Sequence, residues 1–192
     1  MNFYFLLFDK FETLDLFGPV EIFGRIPDAR LNYISTKGGI ITSAQGTQIL
    51  TQKAAKLPDD AVLVVPGGRG TRPLVKDADF LARLKDLADL AANVLSICTG
   101  SALLAAAGVL VNVKATSNKY AFEWVTSTGD AVWIRKACWV HDGRFYTSSG
   151  VSAGIDMALG FVADHYGLDA AKANAQRAEY IWNEDSEVDP FA

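Results

Sequence analysis

Two hydrophobic patterns alternate along the chain. Predominantly apolar runs cover residues 2–8, 61–65 and 93–97. Runs this short predict strands buried on both faces, as in a parallel sheet. Helical spacing separates them, most clearly over 79–92, where Leu81, Leu84, Leu87, Leu90 and Ala91 share one face. Further helices are expected over 20–25, with Pro19 suited to a first turn, over 71–75 and over 119–126. Two closing helices, 151–166 and 169–182, are divided by Gly167 as a C-cap. Residues 30–36 alternate as a strand. Residues 40–42 and 47–50 pair around Gly46, and 131–134, 137–141 and 144–147 are short strands with a hairpin turn at Asp142-Gly143. Strands alternating with helices imply right-handed βαβ units and a mostly parallel sheet covered on both faces. The expected fold is α/β, of flavodoxin-like or Rossmann-like order, in a single domain over 1–192.

Composition narrows the function classes. The net charge is −4 and no basic stripe is visible, which points away from nucleic acid as a partner. The longest apolar run, Ala102 to Val111, is broken by Gly108 and is far shorter than the roughly 20 residues of a membrane span. The apolar start, Met1 to Phe8, meets Asp9 and Lys10 at once, without a basic leader or cleavage site; it predicts a core strand and not a signal peptide. Two cysteines, Cys98 and Cys138, without an export signal suggest free thiols in a reducing, cytoplasmic setting.

The stretch Asn93-Val94-Leu95-Ser96-Ile97-Cys98-Thr99-Gly100-Ser101-Ala102 concentrates the chemistry. An apolar run stops at Cys98, small residues follow, and an Ala/Leu helix begins. This predicts a strand, a sharp turn eased by Gly100, and a helix, as in a nucleophile elbow with Cys in place of Ser. At a helix N-terminus the dipole and free N–H groups favour the thiolate. A buried structural cysteine fits the same residues. In open α/β sheets the site lies beyond the carboxyl ends of the strands. If the strands at 2–8, 61–65 and 93–97 are neighbours, Asp15, Gly68 and Cys98 converge. The Gly68 and Thr99 N–H groups can then face developing negative charge, although Gly67-Gly68 also suits a plain strand-to-helix turn. Asp15 can act as a helix-capping carboxylate, or, between Leu14 and Leu16, as a buried carboxyl that keeps its proton beside a thiol. His141 and His165 suit surface or capping roles. No close-spaced Cys/His pair suggests a metal.

Four segments in chain order carry a family resemblance. Ser96-Ile97-Cys98-Thr99-Gly100-Ser101-Ala102-Leu103-Leu104 resembles the nucleophile segment of the ThiJ/PfpI superfamily, in the class I glutamine amidotransferase-like fold. Leu14-Asp15-Leu16-Phe17-Gly18-Pro19-Val20-Glu21-Ile22-Phe23 resembles the first-loop motif of its isonitrile hydratase-like branch, and Val64-Val65-Pro66-Gly67-Gly68 and Ser149-Gly150-Val151-Ser152-Ala153-Gly154-Ile155-Asp156 match two further segments. The resemblance implies a three-layer sandwich, a homodimer, a small-molecule substrate and no cofactor or metal. It makes Cys98 the nucleophile, Asp15 its acid partner and Thr99 a supporting residue, with Gly67 and Gly68 as oxyanion or substrate contacts. The reaction implied is addition of water to an isonitrile, giving an N-substituted formamide. Many relatives carry Thr-Thr-His where this chain has Thr116-Ser117-Asn118. Asn118 replaces the histidine and cannot act as a base, which leaves it a substrate-binding candidate and argues against a Cys-His triad. Glyoxalase- or deglycase-like carbonyl chemistry and a cysteine-based redox or ligand sensor are the alternatives within the superfamily.

Overall fold

The computed structural model describes residues 1–192. Its central sheet has eight strands in the order β3-β4-β2-β1-β5-β6-β10-β9. They are β1 (Asn2–Leu6), β2 (Arg30–Ser35), β3 (Gly39–Thr42), β4 (Gln48–Lys53), β5 (Ala61–Val65), β6 (Asn93–Ser96), β9 (Trp139–Asp142) and β10 (Phe145–Ser148). A separate two-stranded pair joins β7 (Lys114–Ala115) to β8 (Val132–Trp133). The six central strands run parallel, and only the outermost, β3 and β9, are antiparallel to their neighbours. Seven helices complete the chain: α1 (Thr13–Phe23), α2 (Thr71–Leu74), α3 (Ala78–Leu90), α4 (Gly100–Ala106), α5 (Phe122–Thr126), α6 (Ala153–Tyr166) and α7 (Leu168–Arg177). Those flanking the sheet complete the mostly parallel α/β sandwich.

Every residue of β5 is buried, as its unbroken apolar run requires of a strand covered on both faces. Aromatic packing ties β1 to the helices on one face: Phe3 stacks on Phe23 of α1 at 4.2 Å, and both meet Phe161 of α6 edge-on at 6.0 and 5.6 Å. Each such buried ring contributes about 1.5–3 kcal/mol relative to exposure. No helix is long and apolar enough to cross a membrane.

The structure corrects three boundaries. Helix α1 begins at Thr13, so Pro19 stands inside it and not in its first turn. The proline ring removes the N–H that would bond the Asp15 carbonyl; burial of Leu16, Ile22 and Phe23 holds the helix across that gap. Helix α5 covers only Phe122–Thr126, because Asn118 Oδ1 accepts the Ala121 N–H and the chain turns there before becoming helical. Helix α7 stops at Arg177. The following segment leaves the helical path because buried Asp156 draws it in: its Oδ1 accepts from the Tyr180 hydroxyl at 3.1 Å and the Asn183 N–H at 2.9 Å.

Candidate active site

Strands β1, β5 and β6 lie side by side, so the loops leaving their carboxyl ends share one edge. The first two loops are stitched together. Glu12 donates its N–H to the Gly67 carbonyl at 2.9 Å, and Gly70 donates to the Lys10 carbonyl at 3.1 Å. A bridge between Phe11 and Gly68 completes the contact. Gly68 has φ +119, and a Cβ there would meet the Glu12 nitrogen at 2.5 Å; only glycine allows the loops this close.

The third loop is the elbow. Cys98 has φ +55, a left-handed conformation that costs a non-glycine residue about 1–3 kcal/mol. Three hydrogen bonds hold it there. Its N–H donates to the Ser149 carbonyl at 3.0 Å, and its own carbonyl accepts from the Ser117 hydroxyl at 2.8 Å and the Ser101 hydroxyl at 3.2 Å. A Cβ on Gly100 would strike the Val65 carbonyl oxygen, so the turn into α4 requires glycine. Both cysteines are free and buried, Cys98 with 6% exposure.

Asp15 comes to the same point from the first turn of α1 and is fully buried. Its Oδ2 accepts the Gly67 N–H at 2.8 Å, and its Oδ1 makes no conventional hydrogen bond. Burial pushes the Asp15 pKa from 3.8 up to about 8; the Gly67 N–H opposes this, the charge of Glu12 adds to it, and the Cys98 thiol, as a hydrogen-bond donor, opposes it. The Cys98 pKa is also raised, first by burial and then by the Asp15 charge, while the N–H and hydroxyl of Thr99 pull it down. The thiolate expected from a helix N-terminus is therefore not the resting state, because the desolvation of a buried sulfur outweighs the dipole of a seven-residue helix. The pair resists carrying two negative charges, and Asp15 keeps its proton at neutral pH. One cation lies within electrostatic reach of Cys98: Arg72, whose guanidinium stacks on Trp124 at 3.3 Å.

The expected oxyanion donors are arranged differently from the sequence reading. The Gly68 N–H donates to Thr99 Oγ1 at 3.0 Å, and the Gly67 N–H is held by Asp15. Neither glycine amide is free to face a substrate. The two glycines instead orient Thr99 and Asp15, while the Thr99 N–H and hydroxyl favour negative charge on the Cys98 sulfur. Thr71 joins this group, its hydroxyl 2.8 Å from the Gly68 carbonyl and 3.2 Å from Thr99 Oγ1. A Cβ on Gly67 would lie 2.5 Å from the Thr99 nitrogen, 2.7 Å from its Oγ1 and 3.0 Å from Asp15 Oδ2. Gly67→Ala is accordingly expected to destabilise the fold by about 1–3 kcal/mol through overpacking, read as a lower urea midpoint, and to slow alkylation of Cys98. An unchanged midpoint and alkylation rate would show that the contact is not tight.

Asn118 sits beside this cluster, its Nδ2 packed against Gly150 in the space a Cβ would take. It lines a cleft of about 440 Å³ with Leu14, Tyr120, Ser149, Gly150 and Phe191 among its walls. The cleft adjoins the elbow, since Leu14 precedes Asp15 and Ser149 holds the Cys98 N–H. The histidines lie elsewhere. His141 stacks on Tyr146 at 4.0 Å, and His165 packs on Phe161 at 4.1 Å. No group of three or more His, Cys, Asp or Glu side chains is placed to hold a metal ion. The positioning roles of Ser101, Ser117, Ser149 and Thr71 escape a linear reading, because each acts through a contact that only the fold creates. Their one sequence signal is position: Ser101, Ser117 and Ser149 lie inside family-like segments and Thr71 just after one.

Comparison with known proteins finds a match to the DJ-1/PfpI family model over residues 1–164. An isonitrile hydratase from Pseudomonas putida is 34% identical over 177 residues, covering 92% of this chain and 77% of that protein. A ThiJ/PfpI family crystal structure from Pseudomonas syringae superposes with a TM-score of 0.85 at 31% identity, covering 93% of this chain and 74% of that one. Drosophila melanogaster DJ-1beta shares the fold, with a TM-score of 0.78 at 18% identity over 94% of this chain and 98% of that one.

Proposed function

The chain belongs to the DJ-1/PfpI family, and from that premise we propose that it is a cysteine-dependent enzyme that hydrates isonitriles to N-substituted formamides. The observation that carries this reading is the buried Asp15 carboxyl, protonated up to about pH 8, beside the elbow thiol. An isonitrile reacts at its terminal carbon, which needs both a proton and a nucleophile. Asp15 gives its proton to that carbon and takes the thiol proton of Cys98 as the sulfur forms the C–S bond, and the product is a thioimidate, R–N=CH–S, with Asp15 protonated again. Asp15 then gives its proton to the nitrogen and takes one from water as the water oxygen bonds to the carbon. Collapse of the tetrahedral R–NH–CH(OH)–S adduct breaks the C–S bond and forms the formyl C=O. Asp15 takes the hydroxyl proton and gives its own to the departing sulfur, which restores the Cys98 thiol and the Asp15 carboxyl. The N–H and hydroxyl of Thr99 favour the negative charge that develops on the sulfur as it attacks and leaves. No metal, cofactor or histidine base is needed, and Asn118 in place of a histidine leaves the cycle intact. By similarity the enzyme would act as a homodimer on a small molecule.

The test is conversion of an alkyl isonitrile in oxygen-18-labelled water. Formamide carrying the label in its formyl oxygen is expected, and in heavy water the formyl carbon should carry deuterium. Formamide no faster than in buffer would remove the proposal. A redox sensor draws less support, since an oxidation-sensing thiol is exposed and of low pKa, whereas Cys98 is neither.

A further inference from the structure

The segment after α7 crosses the surface next to the elbow and is pinned at successive points. The Trp182 Nε1–H donates to the Asp156 carbonyl at 3.1 Å, and the Cys138 N–H donates to the Ser186 carbonyl at 2.8 Å. The Asp189 N–H donates to the Lys136 carbonyl at 3.0 Å. The last pin is a buried ion pair. Asp189 Oδ2 lies 3.4 Å from Lys119 Nζ, with side-chain exposures of 3% and 5%, and it has no hydrogen-bond donor of its own. Lys119 Nζ also donates to Thr116 Oγ1 at 2.8 Å and to the Ala137 carbonyl at 2.7 Å. A charge pair this deep is costly to desolvate, and removing one partner strands the other. Its position gives it a further consequence. Lys119 lies between Asn118 and Tyr120, and Asp189 Oδ1 accepts the Phe191 N–H at 2.8 Å; Asn118, Lys119, Tyr120 and Phe191 all line the cleft beside the elbow.

We propose that Phe191, held in place by the Lys119–Asp189 pair, is a specificity-determining wall of the substrate pocket that receives the apolar group on the isonitrile nitrogen. The assignment of the ligand rests on the isonitrile reading; the wall itself does not. With the reactive carbon at Cys98, the nitrogen substituent points away from the buried elbow. The cleft that adjoins it offers Leu14, Tyr120, Val151 and Phe191 as apolar surface. Phe191 is 78% exposed, so its ring is available to cover a substituent instead of filling the core. Pro190 stiffens the chain between the ion pair and the ring. Lys119 and Asp189 are positioning residues, acting through Phe191.

Two measurements test this. In steady-state kinetics, Phe191→Ala should raise KM for cyclohexyl isonitrile about tenfold more than for methyl isonitrile, with kcat for each changed by less than about twofold, and Phe191→Leu should restore most of the difference. In parallel, alkylation of Cys98 by N-phenylmaleimide and by iodoacetamide is followed by mass spectrometry. Phe191→Ala should shift the ratio of the two rates severalfold. Asp189→Asn, which keeps the side-chain shape, should shift that ratio in the same direction and speed hydrogen exchange over 183–192; Lys119→Met provides a second break of the pair. A shifted alkylation ratio without isonitrile turnover in the wild type would leave the wall standing and remove the isonitrile reading. An unshifted ratio and an unchanged KM ratio in Phe191→Ala would overturn the wall, and unchanged exchange in Asp189→Asn would overturn the latch.

Discussion

Cys98→Ala is expected to lower turnover of an alkyl isonitrile by at least about 1,000-fold and to leave the fold intact. The size follows from the chemistry: without sulfur no thioimidate forms, and the remaining water has to add directly to a carbon that resists it. The fold survives because the elbow is held through backbone groups. The Ser149 carbonyl, the Ser117 hydroxyl and the Ser101 hydroxyl bond the main chain of Cys98 and not its sulfur. Alanine keeps those bonds, although φ +55 remains strained for any residue with a Cβ. The measurement is formamide release by wild type and variant at matched urea midpoints. Turnover within tenfold of wild type would take the covalent step away from Cys98.

Asp15→Asn should produce the second large effect, with a pH signature in stability as well as activity. Activity falls by about 100- to 10,000-fold, since the amide cannot deliver the proton. In the wild type, turnover declines as pH rises above about 8, where Asp15 loses its proton. Stability follows from the same shift. The carboxyl titrates near 3.8 when solvated and at about 8 in the folded protein, so between those values the folded state binds more protons than the unfolded one. The contribution of Asp15 to stability is complete below about pH 4 and is lost as pH rises through about 8. Asparagine does not titrate. Relative to Asp15→Asn, the wild type should therefore lose up to about 4 kcal/mol between pH 5 and pH 8, at about 1.4 kcal/mol per unit. Urea unfolding of both proteins at the two pH values reads this difference directly. Parallel stability profiles would mean that Asp15 is not held protonated.

Much of the frame is legible in the linear pattern because it is local. The short, predominantly apolar runs at 61–65 and 93–97 suit strands covered on both sides, and they are β5 and β6. The abrupt stop at Cys98 before small residues reads as an elbow from the local pattern, and Ser149 and Ser117 then hold it in place. Gly100 is required by the carbonyl of Val65, its neighbour across the strand ends, and Gly167, with φ +92, ends α6 as a C-cap should. Leu14 and Leu16 on either side of Asp15 suggest burial, and Asp15 is fully buried. Where the pattern misleads, a distant contact decides. Pro19 suggests a helix start, yet burial of Leu16 and Asp15 extends α1 past it. Helical spacing continues to Trp182, yet Asp156 pulls the chain out of the helix at the end of α7.

The sequence by itself determined the strand–helix alternation, the elbow, the candidate residues for chemistry and the family resemblance. Those follow from steric and hydrophobic rules that act over a few residues. Only the tertiary structure decided what state those residues are in. The adjacency of β1, β5 and β6 brings Asp15 to Cys98, and burial then raises both pKa values. The same packing commits the Gly67 and Gly68 amides to Asp15 and Thr99 and brings Phe191 to the cleft. Desolvation and hydrogen-bond partnership depend on what surrounds a group in space, and that is set by contacts up to a whole chain length apart.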